Sequence, residues 1–172
     1  GILLTAGAVQ GSGAITASES FTWTGGSLLG DGSLLVAGRG LLGPGNLPLN
    51  NRRLAIAGET IWQGGSLQAN NGAVVHVQPG AVLSVTAAAN FDHNASQGAT
   101  SQLQVEGRLA VSVPVAANTA FDLRGHLLLD GAADLASGVT VIHGSGVHRG
   151  ALTVQPGATL EVRNRYTTET GS

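Results

Sequence analysis

The phrase Val-Gln-Pro-Gly-Ala-x-Leu-x-Val occurs twice, at Val77 to Val85 and again at Val154 to Val162. A second phrase, Trp-x-Gly-Gly-Ser-Leu, spans Trp23 to Leu28 and again Trp62 to Leu67, its copies lying about half as far apart as those of the first. Self-similarity at a fixed spacing marks stacked units that bury their apolar faces only against their neighbours. The smallest unit reads apolar-x-apolar-x-Gly-x-apolar-x-apolar. Leu103, Val105, Gly107, Leu109 and Val111 fit it, and Phe121, Leu123, Gly125, Leu127 and Leu129 fit it again one unit later. Val36, Val77, Val115 and Val154, each placed before a turn, recur about every two such units.

Between these markers the chain alternates apolar and polar residues in short runs bounded by Gly, Asn, Asp or Pro-Gly, which is the pattern of short strands. No window keeps the i, i+3, i+4, i+7 spacing of an amphipathic helix, so an all-β chain is expected. An antiparallel sandwich also uses short strands. A turn phrase repeated at multiples of one unit favours instead a parallel β-helix (β-solenoid), in which equivalent corners stack and every second side chain faces one shared interior. The spacing predicts about nine coils of roughly 18–20 residues. Asn70-Asn71-Gly72 and Asp130-Gly131 are expected to supply left-handed turn conformations.

Composition supports a narrow rod. Of the 172 residues 42% are hydrophobic but only 3% aromatic, so the interior must be thin layers of Leu, Val, Ile and Ala, while 27 glycines supply frequent turns. Charged residues make up 10%, lysine is absent and the net charge is −2, which leaves no basic field for a nucleic-acid partner. No apolar run approaches the roughly 18 residues that span a bilayer, so membrane insertion by this segment is not expected. The absence of cysteine excludes disulfides, thiolate metal sites and a cysteine nucleophile, and is compatible with an extracellular bacterial protein. Methionine is absent too, even at position 1, so an internal or processed piece of a longer product is expected.

The repeat defines a single β-helix domain over residues 1–163, with projecting loops expected near 43–51 and 87–101, where the alternation fails, and a polar tail or linker over 164–172. The second loop holds the best candidates for chemistry. Asp92 beside His93 can act as an acid/base pair if a loop holds both near a substrate, with Asn90 and Asn94 as neighbouring ligand contacts. A solvated loop whose Asn and Asp side chains satisfy their own turn is the ordinary alternative. Trp23 and Trp62, two units apart, would stack sugars if exposed, but closing the core is their favoured role. Asp31, Asp130 and Asp134 lie in turns without a calcium-binding pattern, and His143 and His148 flank Gly144-Ser145-Gly146 with no third ligand in view. No metal site and no cofactor is therefore expected.

The phrases WTGGSLLGDGSLLVAG, NNGAVVHVQPGAVLSV and GALTVQPGATLEV resemble the β-helical repeat regions of large secreted bacterial surface proteins, such as autotransporter passengers and filamentous-haemagglutinin-like exoproteins. The resemblance covers most of residues 1–163. It implies a right-handed parallel β-helix, an extracellular or cell-surface location, and a non-enzymatic role as a stalk, adhesin segment or self-assembling fibre subunit. Open coil edges would allow end-to-end self-association, and projecting loops would meet a glycan or protein ligand. The alternative is a carbohydrate-active β-helix, a polysaccharide lyase or hydrolase with Asp92 and His93 as its acid/base pair, or a glycan-binding module.

Overall fold

Alternating side chains that must all reach one interior force the backbone to turn after every short strand. In the computed structural model, which describes residues 1–94, 96, 98–116 and 119–169, the chain does so as a parallel β-solenoid of about eight turns, with no helix among the described residues. Coil 1 holds β1 (Ile2–Leu4), β2 (Ala8–Val9) and β3 (Ala14–Ala17), and coil 2 holds β4 (Ser20–Trp23), β5 (Ser27–Leu29) and β6 (Ser33–Val36). Coil 3 holds β7 (Arg39–Leu42), β8 (Asn46–Asn50) and β9 (Arg53–Ile56), and coil 4 holds β10 (Glu59–Trp62), β11 (Gly65–Asn70) and β12 (Val74–Val77). Coil 5 follows with β13 (Val82–Val85), β14 (Ala89–Asp92) and β15 (Gln102–Val105), and coil 6 with β16 (Arg108–Ser112), β17 (Ala120–Leu123) and β18 (His126–Leu129). In coil 7 one long strand, β19 (Ala132–Ile142), serves two faces before β20 (Gly146–His148), and coil 8 holds β21 (Ala151–Val154), β22 (Ala158–Val162) and β23 (Tyr166–Thr168).

The first strands of the coils stack in parallel as face A, the second as face B and the third as face C, and β19 joins faces A and B into one continuous sheet. Equivalent positions on face A are Ile2, Phe21, Gly40, Thr60, Leu83, Leu109, Ala133 and Leu152. The steps from Ile2 to Phe21, from Phe21 to Gly40 and from Ala133 to Leu152 keep the period that the sequence predicts. Those from Thr60 to Leu83, from Leu83 to Leu109 and from Leu109 to Ala133 are each several residues longer. These longer middle coils are why about eight turns fit where a strict repeat gives about nine.

The interior is a set of stacked columns. On face A, Trp23, Leu42, Trp62, Val85, Val111 and Leu135 lie one above another, and all are at most 2% exposed. Burying each such side chain contributes about 1.5–3 kcal/mol. Both tryptophans turn their indole N–H back into their own phrase: Trp23 Nε1 donates to the Gly26 carbonyl at 3.2 Å and Trp62 Nε1 to the Gly64 carbonyl at 2.9 Å. The Trp-x-Gly-Gly phrase is thus the corner from face A to face B, with the glycine carbonyls satisfying a buried donor.

The Pro-Gly phrase behaves differently. Both copies close the same turn, with the amide of Ala81 or Ala158 donating to the carbonyl of Gln78 or Gln155 at 3.0 Å, and Gly80 and Gly157 in the left-handed region at φ 81° and 90°. Proline followed by a left-handed glycine is what this tight turn requires. The first copy, however, joins β12 on face C to β13 on face A, whereas the second joins β21 on face A to β22 on face B. The two phrases are one turn used at two different corners. Val36 and Val77 do share a column through Ile56, but Val115 lies outside the strands at 80% exposure and Val154 belongs to face A.

Other expectations also shift. The segment near 43–51 does not project: Asn46–Asn50 is β8, with Leu47 and Leu49 fully buried, because Leu-Pro-Leu keeps the alternation that its prolines and asparagines disguise. Within 87–101, Ala89–Asp92 is β14 and Phe91 is buried, so these residues belong to the coil and do not project, and residues 95 and 97 lie outside the described residues. The tail contributes a strand, since Tyr166–Thr168 pairs with β20, while 170–172 lie outside the described residues. Asn71 and Gly72 take left-handed backbone at φ 55° and 75°, as does Asn51 at 52°. Gly131 does not, and its small size serves close approach instead, since an added Cβ would run into the Gly107 carbonyl oxygen of the coil beneath.

Candidate functional site

On face B the residues between the buried columns point outward, and parallel register stacks them coil upon coil. One outward column runs Ser66, Asn90, Asp122, Val141, Glu161. The next position along each strand outward again carries Gln68 and Asp92, and beyond them Arg124, His143 and Arg163. Coils 6 to 8 therefore present two carboxylates, two guanidiniums and an imidazole on one face. Ala116 and Thr119 stand beside them, and the Thr119 hydroxyl lies 2.8 Å from the carbonyl oxygens of both Pro114 and Ala116. Between these two residues and the face lies an open groove of about 420 Å³, floored by Ala120, Val139 and Val141.

Each charged side chain of the groove already has a polar partner. His143 Nε2 donates to Asp122 Oδ1 at 3.1 Å. Arg163 binds Glu161 through Nε and Nη2 at 2.8 and 3.0 Å, a bidentate pair that holds the Glu161 carboxyl below its usual range and raises the Arg163 guanidinium. Arg124 Nη1 lies 3.3 Å from Asp92 Oδ1, and the Ser66 hydroxyl donates to Asp92 Oδ2 at 2.6 Å.

The residues singled out in the sequence fall on different surfaces. Asp92 lies at the rim of this face, held by Ser66 and Arg124, and among the described residues it makes no hydrogen bond with His93. The Nδ1 of His93 is buried without a partner among the described residues. Asn90 stands in the outward column between Ser66 and Asp122. Asn94 is a turn residue: its amide donates to Asn70 Oδ1 at 3.2 Å, and its own Oδ1 accepts from the Ser96 amide and hydroxyl. Trp23 and Trp62 are in the core, at 0% and 1% exposure, and Trp62 meets Phe121 edge to face at 5.6 Å, so neither presents a ring to a ligand. His143 and His148 diverge, His143 to Asp122 on face B and His148 to a stack on Tyr166 on face C. Asp130 and Asp134 bind Arg149 and Arg108, and no three His, Asp or Glu side chains converge among the described residues.

The pair that adjacency in the chain suggests, Asp92 with His93, gives way to Asp122 with His143, two residues separated by a whole coil. The signal that finds it is the period itself, since outward residues one coil apart become neighbours. Sequence reasoning also missed Arg52, which at 2% exposure lies at the corner between β8 and β9 and donates to the carbonyls of Leu29, Gly13 and Val9 at 2.6, 3.2 and 3.3 Å.

Comparison with family models, with curated proteins and with solved structures finds no match for this chain. The likeness to bacterial surface repeats therefore stands on the repeat phrases alone, and the fold on the solenoid itself.

Proposed function

We propose that this chain is a structural module of a secreted or cell-surface bacterial protein, a stiff rod that extends by stacking coil on coil, within a longer chain or between copies. The observation that carries this reading is the likeness of the first and last coils of the 172-residue segment. Interior columns are almost fully buried, whereas coil 8 leaves Val154 and Val162 each 42% exposed and Leu152, Leu160 and Tyr166 only half-buried, and coil 1 leaves Ile2, Val9 and Ile15 half-buried. The columns also match end to end. Continuing the register past coil 8 sets Ile2 and Leu4 of a second copy over Leu152 and Val154, aliphatic on aliphatic, while the edges of β21, β22 and β23 offer backbone groups to β1, β2 and β3. Such a contact is heterologous and does not close, so it builds filaments. The absence of cysteine and the resemblance of the repeat phrases support the extracellular setting.

Sedimentation velocity and negative-stain microscopy over a concentration series test the stacking. The expected result is linear oligomers that grow with concentration and are lost in Val154→Asp. A protein that stays monomeric to millimolar concentration, or a Val154→Asp variant that assembles as well as the parent, would overturn it.

A further inference from the structure

We propose that the face-B groove is a binding site for a neutral, hydroxyl-rich ligand of disaccharide size. The pairing of its charges selects the class of ligand. A free anion meets guanidiniums that already face Glu161 and Asp92, and a free cation meets carboxylates that already face a guanidinium or the His143 imidazole. A hydroxyl group needs no net charge opposite it, because it donates and accepts at once. Asp122 has one oxygen engaged by His143, Arg163 has Nη1 unused by Glu161, and Arg124 meets Asp92 through Nη1 alone. Since a carboxylate offers about four acceptor sites and a guanidinium five N–H donors, each pair retains hydrogen-bonding capacity, and Asp122, Arg124 and Arg163 all line the groove.

Shape and floor agree with that chemistry. Three coils at about 4.8 Å spacing give the charged strip a length of roughly 10 Å. The volume of about 420 Å³ falls in the size range of small-molecule sites. Ala120 and Val139, both partly exposed, supply an apolar floor, while Val141 beside them is only 4% exposed. Methyl groups framed by alternating donors and acceptors suit the C–H face and hydroxyl rim of a sugar ring. Ala116 and Thr119 form the wall.

Two other surface recesses among the described residues are less suited. The one beside Asp31 and Arg52 has the Arg52 guanidinium committed to three backbone carbonyls, and the one over Gly40 and Ile61 has a single acid and a single base at its edge.

Amide-resolved NMR titration with maltose, lactose and cellobiose, set against galacturonic acid dimer, tests the assignment. At least one neutral disaccharide is expected to give saturable shifts confined to residues around Asp122, His143 and Arg163, with affinity reduced tenfold or more in both Asp122→Ala and His143→Ala. The remaining amide spectrum of each variant reports whether the rod is intact, and sedimentation reports stacking separately, so loss of sugar binding and loss of assembly are distinguishable. No saturable shift with any neutral sugar, affinity unchanged in both variants, or tighter binding of the uronate than of its neutral counterparts would overturn the proposal.

Discussion

Replacing Arg52 by methionine is expected to unfasten the first coils of the rod. The guanidinium is buried and has no carboxylate among its hydrogen-bond partners; its partners are the carbonyls of Leu29 in coil 2 and of Val9 and Gly13 in coil 1. It therefore ties coil 3 to both coils below it. Gly32 makes the room, since a Cβ there would lie 2.5 Å from Arg52 Nη2. A hydrogen bond to a charged group contributes about 1.5–3 kcal/mol, and the bond to Leu29, at 2.6 Å, is the shortest of the three. The other two are long, and removing the buried charge relieves a desolvation cost that offsets part of the loss. The balance is a net cost of about 3 kcal/mol for Arg52→Met. Arg52→Lys, with one compact ammonium able to serve fewer of these carbonyls, is expected to cost roughly half as much.

Because stability in a solenoid is close to a sum over neighbouring units, the loss should be local. Native-state hydrogen exchange reads it directly. Amides of β3 and β5 should lose about 100-fold protection, since every ~1.4 kcal/mol is a factor of ten, while amides of β15 and β17 should change little. Equal protection in both regions, or an Arg52→Met variant within about 0.5 kcal/mol of the parent by denaturant midpoint, would refute the idea that Arg52 clamps the first coils; the smaller figure is what an ordinary surface substitution costs.

Two further perturbations separate backbone strain from close packing and burial from charge. Gly80→Ala meets no atom within 4 Å and should cost only the left-handed backbone term of about 1–2 kcal/mol, whereas Gly65→Ala, at nearly the same φ, would drive a Cβ into the Gly45 carbonyl oxygen and should cost at least about 3 kcal/mol; denaturant midpoints of the two variants give the comparison. Burial raises the Tyr166 phenol above its ordinary value, so above pH about 10 the unfolded chain binds fewer protons than the folded one and stability should fall as pH rises, an effect absent in Tyr166→Phe. The Tyr166 hydroxyl has no partner among the described residues, so at pH 7 the same variant should be neutral or more stable by about 1 kcal/mol, which thermal unfolding at the two pH values would check.

Much of the fold is legible in the chain because a solenoid writes its period into the sequence. The alternation in Leu103-x-Val105 and Leu109-x-Val111 is sufficient to place those residues inside, and all four are at most 2% exposed. Composition misleads where it is weighed above pattern. Leu47-Pro48-Leu49 is a strand despite its proline, since the side chains still alternate across the face. Identical words also need not mark identical places, for the Val-Gln-Pro-Gly-Ala turn is stable at any corner and carries no information about which one. The site is harder to read. Asp92 and His93 are neighbours in the chain, but Asp92 ends β14 and His93 follows it outside the strand, so the parallel register that gives Asp92 its neighbours does not extend to His93.

The sequence by itself determined the strand alternation, the coil period and the turn chemistry of Pro-Gly and Asn-Gly, because each depends on interactions within a few residues or one repeat. Only the tertiary structure decided which outward residues meet. Asp122 reaches His143, and Arg52 reaches Leu29 and Gly13, because parallel register carries one coil onto the next. That register depends on how much chain each intervening corner consumes, and the middle coils from Thr60 to Ala133 consume more than those at either end. Adding or removing one residue in any of these loops alters which side chains stand one coil apart in sequence without altering the strands themselves, so the groove is a property of the assembled coils.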